Sequence, residues 1–276
     1  MTIGVAIFLI AVIFIFARTV PARQAPAQEM NTTTQGELST DTMLQIAKQQ
    51  LTVEQSSHVT ALENRISRGA VKDQQIEVYH QLAHFWGDSL GFFPPYAWYQ
   101  AEAARLENSE KSLTFAAHLL LSSLEDDHNS DQALMRWKAL QAKDLFERSL
   151  RINPDNDSSK VGLGACYLFG SISQTPMEGI NMIREVTERD STNIFALMMM
   201  AKGAFISGQF DKATGRLKTV CRLQPDNIEA ILLLADVYER TGDKPGAAEW
   251  YKKSLLYVKQ PEARTAIEKR IADLMK

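Results

Sequence analysis

Between Ile194 and Tyr257 one pattern of small and bulky residues is written twice at a fixed interval. Leu197, Met200, Ala201 and Ala204 are answered by Ile231, Leu234, Ala235 and Tyr238, and each pair lies 34 positions apart. Gly208 and Gly242, Ala213 and Ala247, and Leu217 and Tyr251 keep the same separation. Self-similarity at a period of roughly 20–50 residues marks a supersecondary unit that cannot bury its apolar face alone and must stack on copies of itself. The array extends toward the amino end. Asn153-Pro154-Asp155-Asn156 is echoed by Gln224-Pro225-Asp226-Asn227 at a distance of 71, which is two units of 34 plus an insertion of 3.

The amino end is of another kind. Ile3 to Phe16 is continuously apolar, a targeting or anchoring element before anything else. It is shorter than the ~20 residues of a bilayer span, and Ala17 to Val20 extend it if Arg18 snorkels. Residues 1–20 are therefore a transmembrane anchor or an uncleaved signal. A cleaved signal peptide competes, with Val20-Pro21-Ala22 or Ala25-Pro26-Ala27 as the small-residue site, although a proline inside the first and the distance of the second argue against cutting. No cysteine follows the apolar run closely, which excludes a lipid-modified one. Arg18 and Arg23 follow the span and nothing basic precedes it, so the positive-inside rule taken literally keeps the chain in the cytoplasm. Residues 21–38 lack helical periodicity and form a tether of roughly 25 Å.

Downstream the chain reads as helices throughout. Ser39 or Thr40 caps a helix carrying Met43, Leu44, Ala47 and Leu51, and Thr52-Val53-Glu54-Gln55 is a capping box opening a second helix. Residues 39–70 are thus a helical hairpin in front of the repeats. The next helix, about 71–89, carries Ile76, Tyr79, Leu82, Ala83 and Trp86. Pro95 suits the first turn of its partner, which sets Ala97, Ala101 and Ala104 on one face. A second pair joins Leu113, Ala116, Ala117 and Leu120 to Leu134, Leu140, Ala142, Leu145, Phe146 and Leu150. In a third, Leu163, Gly164 and Tyr167 precede Gly179, Ile183 and Val186, with the extra 3 residues placed in the turn Gly170 to Pro176. Two clear repeats follow, and 262–276 is a one-sided helix of the kind that caps a solenoid.

On these residues the chain from 71 to 276 resembles the tetratricopeptide-repeat family, whose helix–turn–helix unit is ~34 residues long and closes with proline, a place filled here by Pro225. The whole arrangement is similar to bacterial members in which one amino-terminal span precedes a short array. The resemblance implies an all-α, right-handed solenoid of about five helix pairs, noncatalytic, binding another polypeptide and needing no cofactor. It further implies a single-pass protein of the bacterial inner membrane with its repeats in the periplasm, against the literal charge rule. The Trp and Tyr expected early in each first helix are often replaced, which leaves the number of repeats open.

In this fold one stripe of each first helix packs and another faces a concave groove. The groove stripe predicted here comprises Val161, Ala165, Leu168 and Phe169, then Phe195, Met198, Lys202, Phe205 and Ile206, then Leu232, Asp236 and Glu239. It has an apolar centre and an acidic carboxyl end. Only Lys202 suits a grip on a peptide's carboxyl terminus, so the expected ligand is an amphipathic helix or apolar segment. Burial by the chain's own Thr40–Ser67 hairpin, or by a second copy in a homodimer, stands equally open.

Other chemistries find less. Lys plus Arg total 30 against 33 Asp plus Glu, a formal charge of −3, which lacks the basic footprint of a nucleic-acid binder. Cys166 and Cys221 have no C-x-x-C spacing and read as buried thiols. His80 and His84 stand four apart like a zinc-ligand pair, but Gln81 replaces the general-base Glu and no third ligand follows. Gly162-Leu163-Gly164 lacks a third glycine and a preceding strand and reads as helix packing. Asp126-Asp127-His128 falls in a long turn, with weak cation binding as the minor alternative. The function expected is a membrane-tethered adaptor. Its rivals are a chaperone-like subunit of an envelope assembly pathway, such as secretion or c-type cytochrome maturation, and a metal-dependent hydrolase built on His80 and His84.

Overall fold

The computed structural model describes residues 38–67, 71–126, 131–173 and 176–276. Among them there are α-helices, one π-helical turn and no strand. Two leading helices, α1 (Thr40–Lys48) and α2 (Val53–Ser67), precede five pairs. These are α3 (Lys72–His84) with α4 (Phe93–Glu107), α5 (Glu110–Asp126) with α6 (Gln132–Ile152), and α7 (Asp157–Phe169) with α8 (Met177–Arg189). The last two are α9 (Ile194–Ile206) with α10 (Phe210–Leu223) and α11 (Ile228–Arg240) with α12 (Lys244–Ser254), closed by α13 (Pro261–Leu274). From α2 onward each helix packs on the next, and α5 also meets α7, as α7 meets α9. First helices thus line up behind one another, the stacking of a helix-pair solenoid.

The repeat is visible in its caps. Asn156, Asn193 and Asn227 open α7, α9 and α11, and each side-chain oxygen accepts the third helical N–H, from Ser159 at 2.8 Å, Ala196 at 3.0 Å and Ala230 at 2.9 Å. The last two caps are 34 positions apart and the first two 37, which places the insertion of 3 within the third pair. Each such bond satisfies a helix-end donor and contributes about 1 kcal/mol. Gly208 and Gly242, the matched turn glycines, both stand at positive φ, +72° and +83°, where a side chain is strained.

Elsewhere the expected signals act as written. Thr52 N–H donates to Gln55 Oε1 at 2.9 Å while Gln55 N–H donates to Thr52 Oγ1 at 3.3 Å, a reciprocal capping box. The helix expected over 71–89 ends in a π-helical turn, Phe85–Ser89, that buries Trp86 completely. The leading helices are one of the occupants left open for the groove. Rather than lying in a groove, α2 packs against α3 and α1 against α4. Trp137 Nε1 on α6 donates to Thr40 Oγ1 at 2.9 Å, and Met43 joins the main core. Leu38, expected at the end of the tether, is already packed against that core. No described helix is long and apolar enough to cross a membrane. The apolar run Ile3–Phe16, the tether up to residue 37 and Asp127-His128 lie outside the described residues, and the side chain of Asp126 is likewise not described.

The main core is continuous from Met43 to Val237. Its tightest place is α7, where Ser159 and every residue from Val161 to Cys166 are buried. Glycines make that possible. A Cβ on Gly162 would meet the Phe146 ring at 2.2 Å, and one on Gly164 would meet the Gly179 carbonyl oxygen at 2.7 Å. We expect Gly164→Ala to lower the unfolding free energy by about 1–3 kcal/mol, because the obstacle is backbone and cannot rotate away. Gly215→Ala, with nothing within 4 Å of its Cβ, should cost nothing. Denaturant titration of both variants checks this, and equal stabilities would refute the close approach.

Candidate functional site

The helix order places the first helices α5, α9 and α11 around a trough of about 630 Å³. One wall is α5, which presents Phe115, His118, Leu119 and Ser122 at helical spacing; the other is α9 with Ile194, Phe195, Met198 and Lys202; Asn227 and Glu229 close one end. Helix α7 contacts both walls. His118 bridges the trough, its ring centroid 5.1 Å from that of Phe195 on α9 and 5.1 Å from that of Phe146 on α6, with Nε2 hydrogen-bonded to Ser158 Oγ at 2.7 Å. Phe115 is 61% exposed and also borders a second hollow of about 460 Å³ that holds His80, His84, Gln100, Glu107 and Lys111. The two hollows therefore meet at Phe115.

Of the residues predicted to face a groove, Phe195, Met198 and Lys202 line this trough. Lys202 is ion-paired with Glu229 across α9 and α11. Val161 and Ala165 are a correction: both are fully buried, because the middle of α7, from Val161 to Cys166, is enclosed by its neighbours. Leu168 lines a separate hollow on the other side of α9, and Phe169 is packed against the core. Phe205 stacks edge-on with Phe210 at 6.0 Å and under the Arg240 guanidinium at 5.8 Å, away from the trough, while Ile206 is 69% exposed at the end of α9.

The acidic end is also occupied otherwise. Leu232 packs in the carboxyl-terminal core. The Tyr251 hydroxyl of α12 donates to Asp236 and, at 3.1 Å, to Glu239, and Arg270 of α13 pairs with Glu239. Glu239 thus fastens the capping helix, while Asp236 is held by Tyr251 of the preceding helix. Burial, the larger effect, pushes the Asp236 carboxyl up, against the Tyr251 hydroxyl that donates to it. Sequence reasoning missed Phe115, His118, Leu119 and Ser122. Their signal is a second i, i+3, i+4, i+7 stripe on α5 beside the packing stripe Leu113, Ala116, Ala117 and Leu120.

His80 and His84 do not converge. His80 Nε2 lies 3.0 Å from Glu107 and His84 Nδ1 lies 2.8 Å from Asp88. Among the described residues no three His, Cys, Asp or Glu side chains are grouped to hold a metal. Cys166 and Cys221 are both buried, and burial pushes the Cys221 thiol up.

His118 carries a pH dependence. Burial holds its imidazole below the ordinary value of 6.5, so the folded state resists protonation more than the unfolded chain does. Stability is therefore full above about 6.5 and falls as the pH drops through that value toward the folded one. Between pH of about 7.5 and 5, the melting temperature of His118→Gln should fall less than that of the wild type. Parallel declines would mean that His118 does not titrate as buried.

Comparison with known proteins agrees with the periodicity. Residues 204–269 match the family model for the tetratricopeptide repeat. A putative cytochrome c-type biogenesis protein CcmH of Haemophilus influenzae is 28% identical over 93 residues, 34% of this chain, and the match spans only 20% of that relative's length. Among solved structures, PilW, a type IV pilus biogenesis factor, has a TM-score of 0.47 at 17% identity, covering 73% of this chain and 90% of that one. MamA from Desulfovibrio magneticus RS-1 has a TM-score of 0.44 at 19% identity, covering 68% and 96%. The family match and the 34-residue period together assign tetratricopeptide repeats to the part of the chain over residues 204–269.

Proposed function

We propose that this chain is a noncatalytic adaptor that holds a segment of another polypeptide in the trough between α5 and α9, tethered to a bacterial inner membrane by residues 1–20 with its repeats in the periplasm. The observation that carries the reading is Phe115, 61% exposed, facing a trough whose other wall is Phe195 and Met198. Large aromatic side chains rimming an open apolar hollow mark an interaction surface, and buried aromatic anchors dominate the energetics of such contacts. The ligand that fits is an amphipathic helix, laying apolar side chains along the Phe115–Phe195 line and polar ones toward Ser122, Asn227 and Glu229. The tether draws on the apolar run Ile3–Phe16.

A second reading, a chaperone-like subunit of an envelope assembly pathway, draws on the likeness of 93 residues to a protein described as a putative cytochrome c-type biogenesis factor. The two differ in client lifetime. Crosslinking from solubilised membranes should catch one stable partner for an adaptor and many transient ones for a chaperone.

The trough itself is tested by Phe115→Glu combined with Phe195→Glu. Partner recovery by affinity purification should fall at least about 30-fold, the loss of roughly 2 kcal/mol expected of a binding hot spot. Phe115→Glu alone should leave the melting temperature unchanged, since that ring is exposed. Undiminished recovery by the folded double variant would end the proposal.

A further inference from the structure

On the side of α9 turned away from the trough, a smaller hollow of about 160 Å³ opens between the second helices α8 and α10. Leu168 and Met200 wall it, Arg184, Lys212 and Arg216 border it, and no carboxylate lines it. All three cations bond to neutral acceptors: Arg216 Nη1 donates to the Met200 carbonyl at 3.3 Å, Arg184 Nη1 to Asn181 Oδ1 at 3.1 Å and Lys212 Nζ to Gln209 Oε1 at 2.6 Å. None is in an ion pair among the described residues. Burial and the nearby Arg184 charge push the half-buried Arg216 guanidinium below its ordinary range. Met177, the first residue of α8, lines the same hollow and is 53% exposed. A cationic seat therefore stands open beside an apolar rim, and cations gathered without an acid are unfavourable until an anion joins them.

We infer that this hollow seats the phosphate of an anionic phospholipid, with Met177 resting among the upper carbons of the acyl chains. A guanidinium offers phosphate two parallel N–H donors, and basic side chains beside an anionic bilayer are drawn to its surface. What is attached to the anion decides among ligands. In a phospholipid the phosphate is followed by glycerol esters and hydrocarbon, which match Leu168, Met200 and the exposed Met177. An acidic protein segment would set its backbone donors and acceptors against those walls unpaired, and inorganic phosphate would leave the walls wet. The inference rests on the reading that residues 1–20 hold the chain at a bilayer, and it adds an orientation to it. Hollow and trough lie on opposite sides of α9, so a body docked through the hollow leaves the trough open to the aqueous phase, where a partner can reach it.

The test places a polarity-sensitive dye at the rim. Met177→Cys in the full-length chain supplies the labelling site, since Cys166 and Cys221 are buried. The labelled chain is reconstituted into vesicles of phosphatidylcholine alone and into others in which about a third of the lipid is phosphatidylglycerol. Emission should shift to the blue only in the anionic vesicles, and the shift should vanish in about 1 M salt, where charges are screened within roughly 3 Å. Arg184→Gln with Lys212→Gln, both exposed and so compatible with the fold, should lose the shift. Lys218→Gln with Arg222→Gln, which removes the same charge elsewhere on α10, should keep it. No shift, an equal shift in phosphatidylcholine, equal loss in the two double variants, or a shift produced in neutral vesicles by added inorganic phosphate or a polyglutamate peptide would overturn the inference. Flotation with phosphatidylcholine vesicles tests the anchor separately: a chain that stays behind ends the tether reading, and the dye shift on added anionic vesicles still decides the hollow.

Discussion

The enclosure of α7 is the constraint on which the molecule depends. A helix in a stacked array ordinarily keeps one stripe for its neighbours and one for solvent, but α7 has Ser159 and all six residues from Val161 to Cys166 buried. It can be enclosed only because glycines at 162 and 164 let the Phe146 ring and the α8 backbone at Gly179 come to where side chains would otherwise stand. Bringing α6 and α8 this close draws α5 and α9 toward each other over the top of α7, close enough for His118 to touch Phe195. The polar triad of Thr114, Ser149 and Ser159, with hydroxyls 2.9–3.1 Å apart, sits in the same place and satisfies itself. A buried polar cluster of that kind costs nothing when every member is paired.

The trough follows from this enclosure. Its walls are the bulky residues of the first helices on either side of α7. The carboxyl end of the array solves a different problem. Its last pair has no following repeat, so α13 covers Ala235, Ala247 and Tyr251, while Glu239 and Arg270 tie that cover down at the rim. An acidic pair that would read as a ligand grip in the middle of an array is structural at its end, because the cap must be held by something.

Much of the architecture was legible because it is local. Period, caps and turn glycines are set by residues within one repeat, so the helical pairs and their 34-residue period could be read before any coordinates, with the number of repeats left open. The trough was legible only in part. Phe195, Met198 and Lys202 could be placed on the far stripe of α9 from helical spacing alone. Val161 and Ala165 could not be excluded in that way, since their burial depends on how far Phe146 and Gly179 intrude from other helices. The same limit applies to Phe115 and His118. Their stripe on α5 is as regular as that on α9, but nothing local says that the helix opposite is two repeats away. Asp236 was misplaced for a related reason: its partner Tyr251 lies within one repeat unit, and the repeat pattern assigned that tyrosine to packing without regard to its hydroxyl.

Helix α9 joins these observations. It is apolar almost all round, a composition that normally signals complete burial, yet it stands in a solenoid, where complete burial is available to one helix only at the expense of another. The small residues Ala196, Ala201 and Ala204 and the side chains of Leu197 and Met199 are buried by its neighbours. Phe195 and the nearly buried Met198 line the trough between α5 and α9, and Met200 and Gly203 line the basic hollow on the other side. Both hollows are therefore consequences of one sequence decision. An excess of apolar residues was placed on the helix next to the one most reduced in size, and the array cannot curl far enough to cover them on both sides at once.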